Sequence, residues 1–194
     1  MKNVKKHHVL FLAICLFAVN QTVIAQYNNH HKYYIDLGYV GGSQLPTSGT
    51  VGVFGGLGFN FNLFNKPATI DIRAKELYVL KPTDQSATIL TLTYHAYLIK
   101  GFYIGIGGAH GHQIMASHFI DDPTSAIAGS NQYIMHASGF NTAIGYSFGT
   151  FIKNKGIGIY PHVSATYTQL NAHHQTFKHL ALNVGFKIAF KKLD

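Results

Sequence analysis

Three sets of residues in this sequence have types and spacings that do chemistry. His162-Val163-Ser164 places an imidazole and a hydroxyl two residues apart, the pairing by which a histidine activates a serine nucleophile for acyl transfer. His110 and His112 share that spacing, and His118 and His136 follow them; imidazoles two apart on a strand share a face and chelate zinc or copper. The third set is Asp36, Asp71, Arg73, Lys75 and Lys187, five charges in a chain with only 11% charged residues. Each set also has an ordinary reading. No Cys, Glu-x-x-His or fixed third ligand accompanies the histidines, and solvated imidazoles that titrate near 6.5 are the commoner outcome. His30-His31 and His173-His174 read as solvated, and no acid partner for His162 is evident in the sequence.

What positions these groups begins after residue 25. Lys2, Lys5 and Lys6 precede an apolar run from Val9 to Val19, and Val23-Ile24-Ala25 then offers small or aliphatic residues before Gln26. That is the layout of a cleavable signal peptide over 1–25. As a helix the run rises roughly 16 Å, short of the ~30 Å hydrocarbon core that an anchor must cross. Cys15, the only cysteine, lies inside the run and follows Ile14 rather than a small residue, which disfavours a lipid anchor. The remaining domain, 26–194, holds no cysteine and must be stabilised by burial and backbone pairing. Its charge is 12 − 7 = +5, taking 15 − 3 basic against seven acidic groups. The basic groups are dispersed and form no nucleic-acid motif. Twenty glycines, 12 Tyr, 14 Phe and no Trp complete a composition with far fewer charges than the ~25% of a soluble domain.

Past Gln26 the apolar residues recur with period two, in segments of about ten residues divided by turn signals. Leu180, Leu182, Val184, Phe186, Ile188 and Phe190 alternate with His179, Ala181, Asn183, Gly185, Lys187 and Ala189. Leu90, Leu92, Tyr94, Ala96 and Leu98 likewise oppose Thr91, Thr93, His95 and Tyr97. Similar segments start at Phe102, Phe140 and Ile157, and others cover about 33–41, 50–64 and 68–79. Eight strands, an even number, predict an all-β, eight-stranded antiparallel up-and-down transmembrane β-barrel. A soluble lipocalin-like barrel would need the reverse, with the apolar set inside. Gly, Asn, Ser, His and Lys facing lipid would waste contact or carry a charge penalty, so the bulky set must face outward. The five charges then fall on inner rows of strands one, three and eight as a lumen ion cluster. A narrow lumen requires them to be paired, with ion conduction as the alternative. Glu76 falls on the outward row while Leu77 and Val79 fall inward, which predicts a bulge near Ala74 to Glu76. Tyr97, Phe102, Tyr146, Phe148 and Phe186 suit an interfacial aromatic girdle. With the termini in the periplasm, short turns fall at Asn65-Lys66-Pro67, Lys100-Gly101 and about Gly149 to Lys155. Surface loops fall at Gly42–Gly49, Leu80–Ser86, Ala116–Asn131 and Asn171–Gln175.

The Ala25-Gln26 processing site, the glycine-rich strands and the closing Val184-Gly185-Phe186-Lys187-Ile188-Ala189-Phe190 resemble the small outer-membrane β-barrel proteins of Bacteroidota, the OmpX/PorT-like group. The resemblance spans the whole mature chain and implies architecture rather than activity. The Lys191-Lys192-Leu193-Asp194 extension departs from barrels that end on their last aromatic. His162-Val163-Ser164 also resembles the His-x-Ser of barrel lipid A deacylases, but Ala165 stands where those enzymes have asparagine, and strand parity turns both groups inward. The sequence therefore predicts a non-enzymatic, porin-like outer-membrane barrel of a Gram-negative envelope, with outer-membrane lipid and other envelope proteins as partners, no nucleic acid and no cofactor. A lipid A or phospholipid hydrolase, or an accessory subunit of a secretion, uptake or conjugation complex, are the alternatives.

Overall fold

A computed structural model describes residues 31–45, 48–64, 66–80, 86–99, 101–116, 132–149, 152–154, 157–172 and 175–191. The leader over 1–25, His30, His118, His173-His174 and the 117–131 connection lie outside the described residues. The described elements are strands: β1 (His31–Leu45), β2 (Ser48–Leu63), β3 (Lys66–Val79), β4 (Ser86–Ile99), β5 (Phe102–Ala116), β6 (Gln132–Ser147), β7 (Ile152–Asn154), β8 (Ile157–Ala172) and β9 (Gln175–Lys191). Each pairs antiparallel with its neighbours. β1 pairs with both β2 and β9, and β6 with β8, so eight strands close into a ring. The three-residue β7 pairs with the start of β8 on the edge that β6 takes further along, and so continues β6 toward the terminal end.

The register fixes the geometry. Tyr34 leads round through Gly58, Asp71, Thr93, Gly107, Asn141, Thr168 and His179 to Gln44. One circuit thus returns 44 − 34 = 10 residues along β1, a shear of ten. Closure with such a shear tilts the strands by roughly 35–45°. His31 pairs with Lys191, so β1 begins and β9 finishes at one end, here the terminal end; the opposite rim is the loop end.

Alternation along each strand is as the sequence pattern requires. Leu57, Ile106 and Leu182 point out with 54–65% of their surface exposed, while Asp36, Lys75 and His162 point in at 0–1%. The turn between β2 and β3 is tighter than the sequence suggests, because Lys66 and Pro67 already belong to β3 and Phe64 turns the chain at φ 51°. Gly101, at φ 89°, makes the β4–β5 turn in a conformation that costs glycine little. At the loop end β1 runs on to Leu45 and β2 starts at Ser48, leaving two residues where Gly42–Gly49 was expected to be loop.

Two expectations are corrected. There is no bulge near Ala74 to Glu76: β3 keeps continuous register with β2 and β4 through that stretch. Leu77 points inward because the loop-end interior is an apolar core, where it joins Val40, Phe54, Ala87, Ile89, Ala109, Ala137, Leu170, Phe177 and Ala181, and Val79 is buried as well. Glu76 points outward and accepts a hydrogen bond from Thr88 Oγ1 at 2.6 Å. Tyr97 is not a girdle residue; it is 5% exposed and lies in the lumen beside Lys187. Several outward aromatics pack against one another toward the terminal end. Tyr33, Phe59, Phe61 and Tyr94 form a chain of ring contacts at 5.6–6.2 Å, and Tyr146 meets Phe148 at 5.0 Å.

Candidate functional site

The terminal-end half of the lumen holds a buried charge network. Arg73 on β3 donates from one nitrogen to Asp36 Oδ2 at 2.6 Å and to Asp71 Oδ2 at 3.1 Å. Each carboxylate also meets a histidine: His162 Nε2 lies 2.7 Å from Asp36 Oδ1, the oxygen away from Arg73, and His95 Nε2 lies 2.9 Å from Asp71 Oδ2, the oxygen that Arg73 shares. Tyr34 donates to Asp71 at 3.2 Å. Two aspartates sharing one guanidinium in a dry interior are held by directional, charge-assisted bonds, and removing any member strands its partners.

The other two cations are accommodated differently. Lys187 sits opposite Asp36 across the β1–β9 register and donates to the Tyr97 hydroxyl at 3.2 Å. The rings of Tyr34, Tyr103 and Tyr97 surround its ammonium at 4.8, 5.2 and 5.9 Å, within cation–π range. Lys75 crosses the lumen to donate to Thr166 Oγ1 at 3.0 Å. Thus Asp36, Asp71 and Arg73 form one ion-paired unit, and Lys75 and Lys187 reach neutral oxygens. The sequence analysis left Tyr34, His95, Tyr97 and Tyr103 out of this network, and weighed His162 only with Ser164 for the hydrolase alternative. Inward parity marks all five; what parity does not show is which inward residues meet.

Glycines make room for these side chains. A Cβ at Gly58 would collide with the Tyr34 ring that reaches over it to Asp71, and one at Gly145 would lie 2.5 Å from the Tyr103 ring. Beyond the ions the polar contacts continue: Asn183 Nδ2 reaches Thr166 Oγ1 at 3.1 Å, Thr168 donates to Asn141 at 2.9 Å, and Asn141 donates to Thr93 at 3.1 Å. Thr50 and His179 close the set at 2.7 Å near the loop end. The interior is filled with side chains. A cavity of about 10 Å³ at the loop end, lined by Ala87, Ile89, Gly111, His112, Ala137, Leu170 and Phe177, is the size of about one water.

His162 and Ser164 both face this lumen, 1% and 2% exposed. The structure supplies an acid that the sequence does not reveal, Asp36, but it engages the His162 Nε2. Ser164 Oγ receives Asn183 Nδ2 at 3.4 Å instead of meeting His162.

The metal candidates separate in another way. His110, His112 and His136 gather on the outward, exposed face of β5 and β6 near the loop end, with one ring nitrogen from each lying within 4.8 Å of the others. His112 and His136 are register partners with ring centroids 4.3 Å apart, and His110 Nε2 lies 3.3 Å from His112 Nε2. The Ser138 hydroxyl lies 2.8 Å from His110 Nδ1.

The architecture defines a class: the closed, eight-stranded antiparallel transmembrane barrel seen in small outer-membrane proteins. Among solved structures, the chain is similar to Ail, the attachment invasion locus protein of Yersinia pestis, with TM-score 0.50 and 13% identity over 83% of this chain and 99% of that one. Neisserial surface protein A overlays with TM-score 0.49 and 9% identity over 84% and 98%. OprG of Pseudomonas aeruginosa does so with 0.47 and 15% over 84% and 97%. At such identities the likeness is one of fold alone. No protein-family profile matches the sequence, and no curated protein does.

Proposed function

We propose that this chain is a non-enzymatic outer-membrane β-barrel of a Gram-negative envelope, exported by the leader over 1–25, with its termini in the periplasm and its loop end outward. The observation that carries this reading is the inversion of the barrel. Leu37, Leu57, Ile72, Leu92, Ile106, Ile144, Leu182 and Phe186 are all exposed on the outside, while Asp36, Asp71, Arg73, Lys75 and Lys187 are buried within. In water that outer face would be an apolar patch far above the few hundred Å² a monomer normally tolerates; in lipid it is solvated. The packed lumen favours a structural or loop-binding role over conduction, with contacts to lipid and other envelope proteins made from the wall and the loop end. The Ala25-Gln26 site and the glycine-rich strands support membership of the OmpX/PorT-like barrels of Bacteroidota.

Membrane fractionation and gel mobility of the detergent-folded protein test this. The expected outcome is recovery in the outer-membrane fraction and a mobility shift between unheated and boiled samples. A soluble protein without that shift would overturn it. The hydrolase reading keeps one favourable observation, the His162–Asp36 contact. It requires Ser164→Ala to alter the lipid A or phospholipid acylation profile, and an unchanged profile is expected here. An accessory-subunit role would instead show as partners retained through purification in mild detergent.

A further inference from the structure

The outward face of the barrel is apolar along most of its height, but near the loop end of β3 to β6 it changes character. A register row runs from Glu76 to Thr88, His112 and His136, and His110 and Ser138 form the next outward pair toward the terminal end. The three histidines and Ser138 are exposed on this face.

Three imidazoles converging on one point have a specific chemical use. Zinc bound tetrahedrally at 2.0–2.1 Å separates its nitrogen ligands by about 3.3–3.4 Å. The His110 Nε2 to His112 Nε2 distance is 3.3 Å, and His136 completes a set within 4.8 Å, so a small rotation of one ring brings the third nitrogen into range. Protonated imidazoles would repel at this spacing, so the arrangement suits the neutral form that binds metal. Ser138 adds a second feature of ligating histidines: a hydroxyl on the ring nitrogen opposite the ligating one, which orients the ring. The Glu76 carboxylate, held by Thr88, lies two strands from His112 and puts negative charge along the approach to the cluster.

We propose that His110, His112 and His136 form a surface site for a borderline divalent transition metal, zinc or copper, with an open fourth position facing the outside. The site clamps β5 to β6, the two strands that carry the 117–131 connection. Its chemistry excludes magnesium and calcium, which require oxygen ligands. Its occupancy falls in acid, because protons compete with the metal for the imidazole nitrogens.

The test is calorimetric titration of the detergent-folded barrel with ZnCl₂ at pH 7.5 and at pH 5.5, repeated with MgCl₂. Copper(II) spin resonance of the same protein counts the coordinating nitrogens. One zinc per barrel is expected at pH 7.5, little at pH 5.5, none with magnesium, and three nitrogen couplings to copper. His110→Ala/His112→Ala should abolish the site, and His136→Ala should weaken it by at least about tenfold. Ser138→Ala should weaken it by roughly ten- to a hundredfold while leaving three nitrogens bound. All four side chains are exposed, so the variants are expected to fold, and their heat-dependent mobility shift verifies it. Absence of zinc binding by the unaltered protein would overturn the proposal. So would binding that survives the double substitution, which would belong to other histidines, and so would equal binding of magnesium.

Discussion

The two halves of the lumen are built from the same strands with the same parity, yet they are different interiors. Toward the terminal end, Asp36, Asp71, Arg73, His95 and His162 meet through directional bonds of 2.6–3.1 Å, with Lys187 bonded to Tyr97 beside them. Toward the loop end, Val40, Phe54, Leu77, Ile89, Leu170 and Phe177 pack as an ordinary hydrophobic core. Phe54 joins the two, with the Arg73 guanidinium 5.0 Å above its ring. The contrast teaches that an inward position in a membrane barrel is not a polar position. Lipid outside demands apolar residues there, but the inside may be filled by either chemistry provided it is filled. A paired network resists slippage because its bonds exist in one register only, whereas the apolar half seals by volume.

Breaking each half should therefore look different. The largest loss is expected from Asp36→Ala, which strands His162 and leaves Arg73 only its longer pair to Asp71 in a dry interior, at a cost of about 3–5 kcal/mol, read from urea unfolding of the detergent-folded protein. Replacing the unit together, as Asp36→Leu/Asp71→Leu/Arg73→Met, should restore only part of that stability, since it removes the buried charges but leaves Tyr34, His95 and His162 without their partners. A triple variant less stable than Asp36→Ala would show that the ions are needed as ions. Leu77→Ala opens a hole in the apolar half, with an expected loss of about 2–5 kcal/mol. Gly58→Ala forces the Tyr34 ring off its strand and away from Asp71, an overpacking expected to lower stability by about 1–3 kcal/mol. The smallest effect belongs to Thr50→Ala, which removes a single bond to His179 and should shift the midpoint by about 1 kcal/mol. A Thr50→Ala effect as large as that of Leu77→Ala would mean that the loop-end half also depends on its polar contacts.

Much of this was legible in the chain itself. Alternation is a property of one strand, so Leu180 to Phe190 facing out, and Asp36, Arg73, Lys75, Lys187, His162 and Ser164 facing in, follow from period two alone. The Leu77–Val79 stretch misled because inward apolar residues look like a slipped register until the loop-end core that receives them is seen. Tyr97 misled in the opposite way: near a strand end it suits a girdle, but its parity with Thr91, Thr93 and His95 turns it inside, where it meets Lys187.

Strand number, direction and facing were thus determined by the sequence, because they rest on contacts each segment makes with its immediate neighbours and with the surrounding medium. Which inward or outward residues actually touch was decided only by closure. A shear of ten brings Tyr34 to Asp71 across Gly58, and Asp36 to His162, 126 positions away. The pairing of β5 with β6 sets His136 beside His112. Those partnerships depend on the stagger at which eight strands meet, a quantity that no single strand carries.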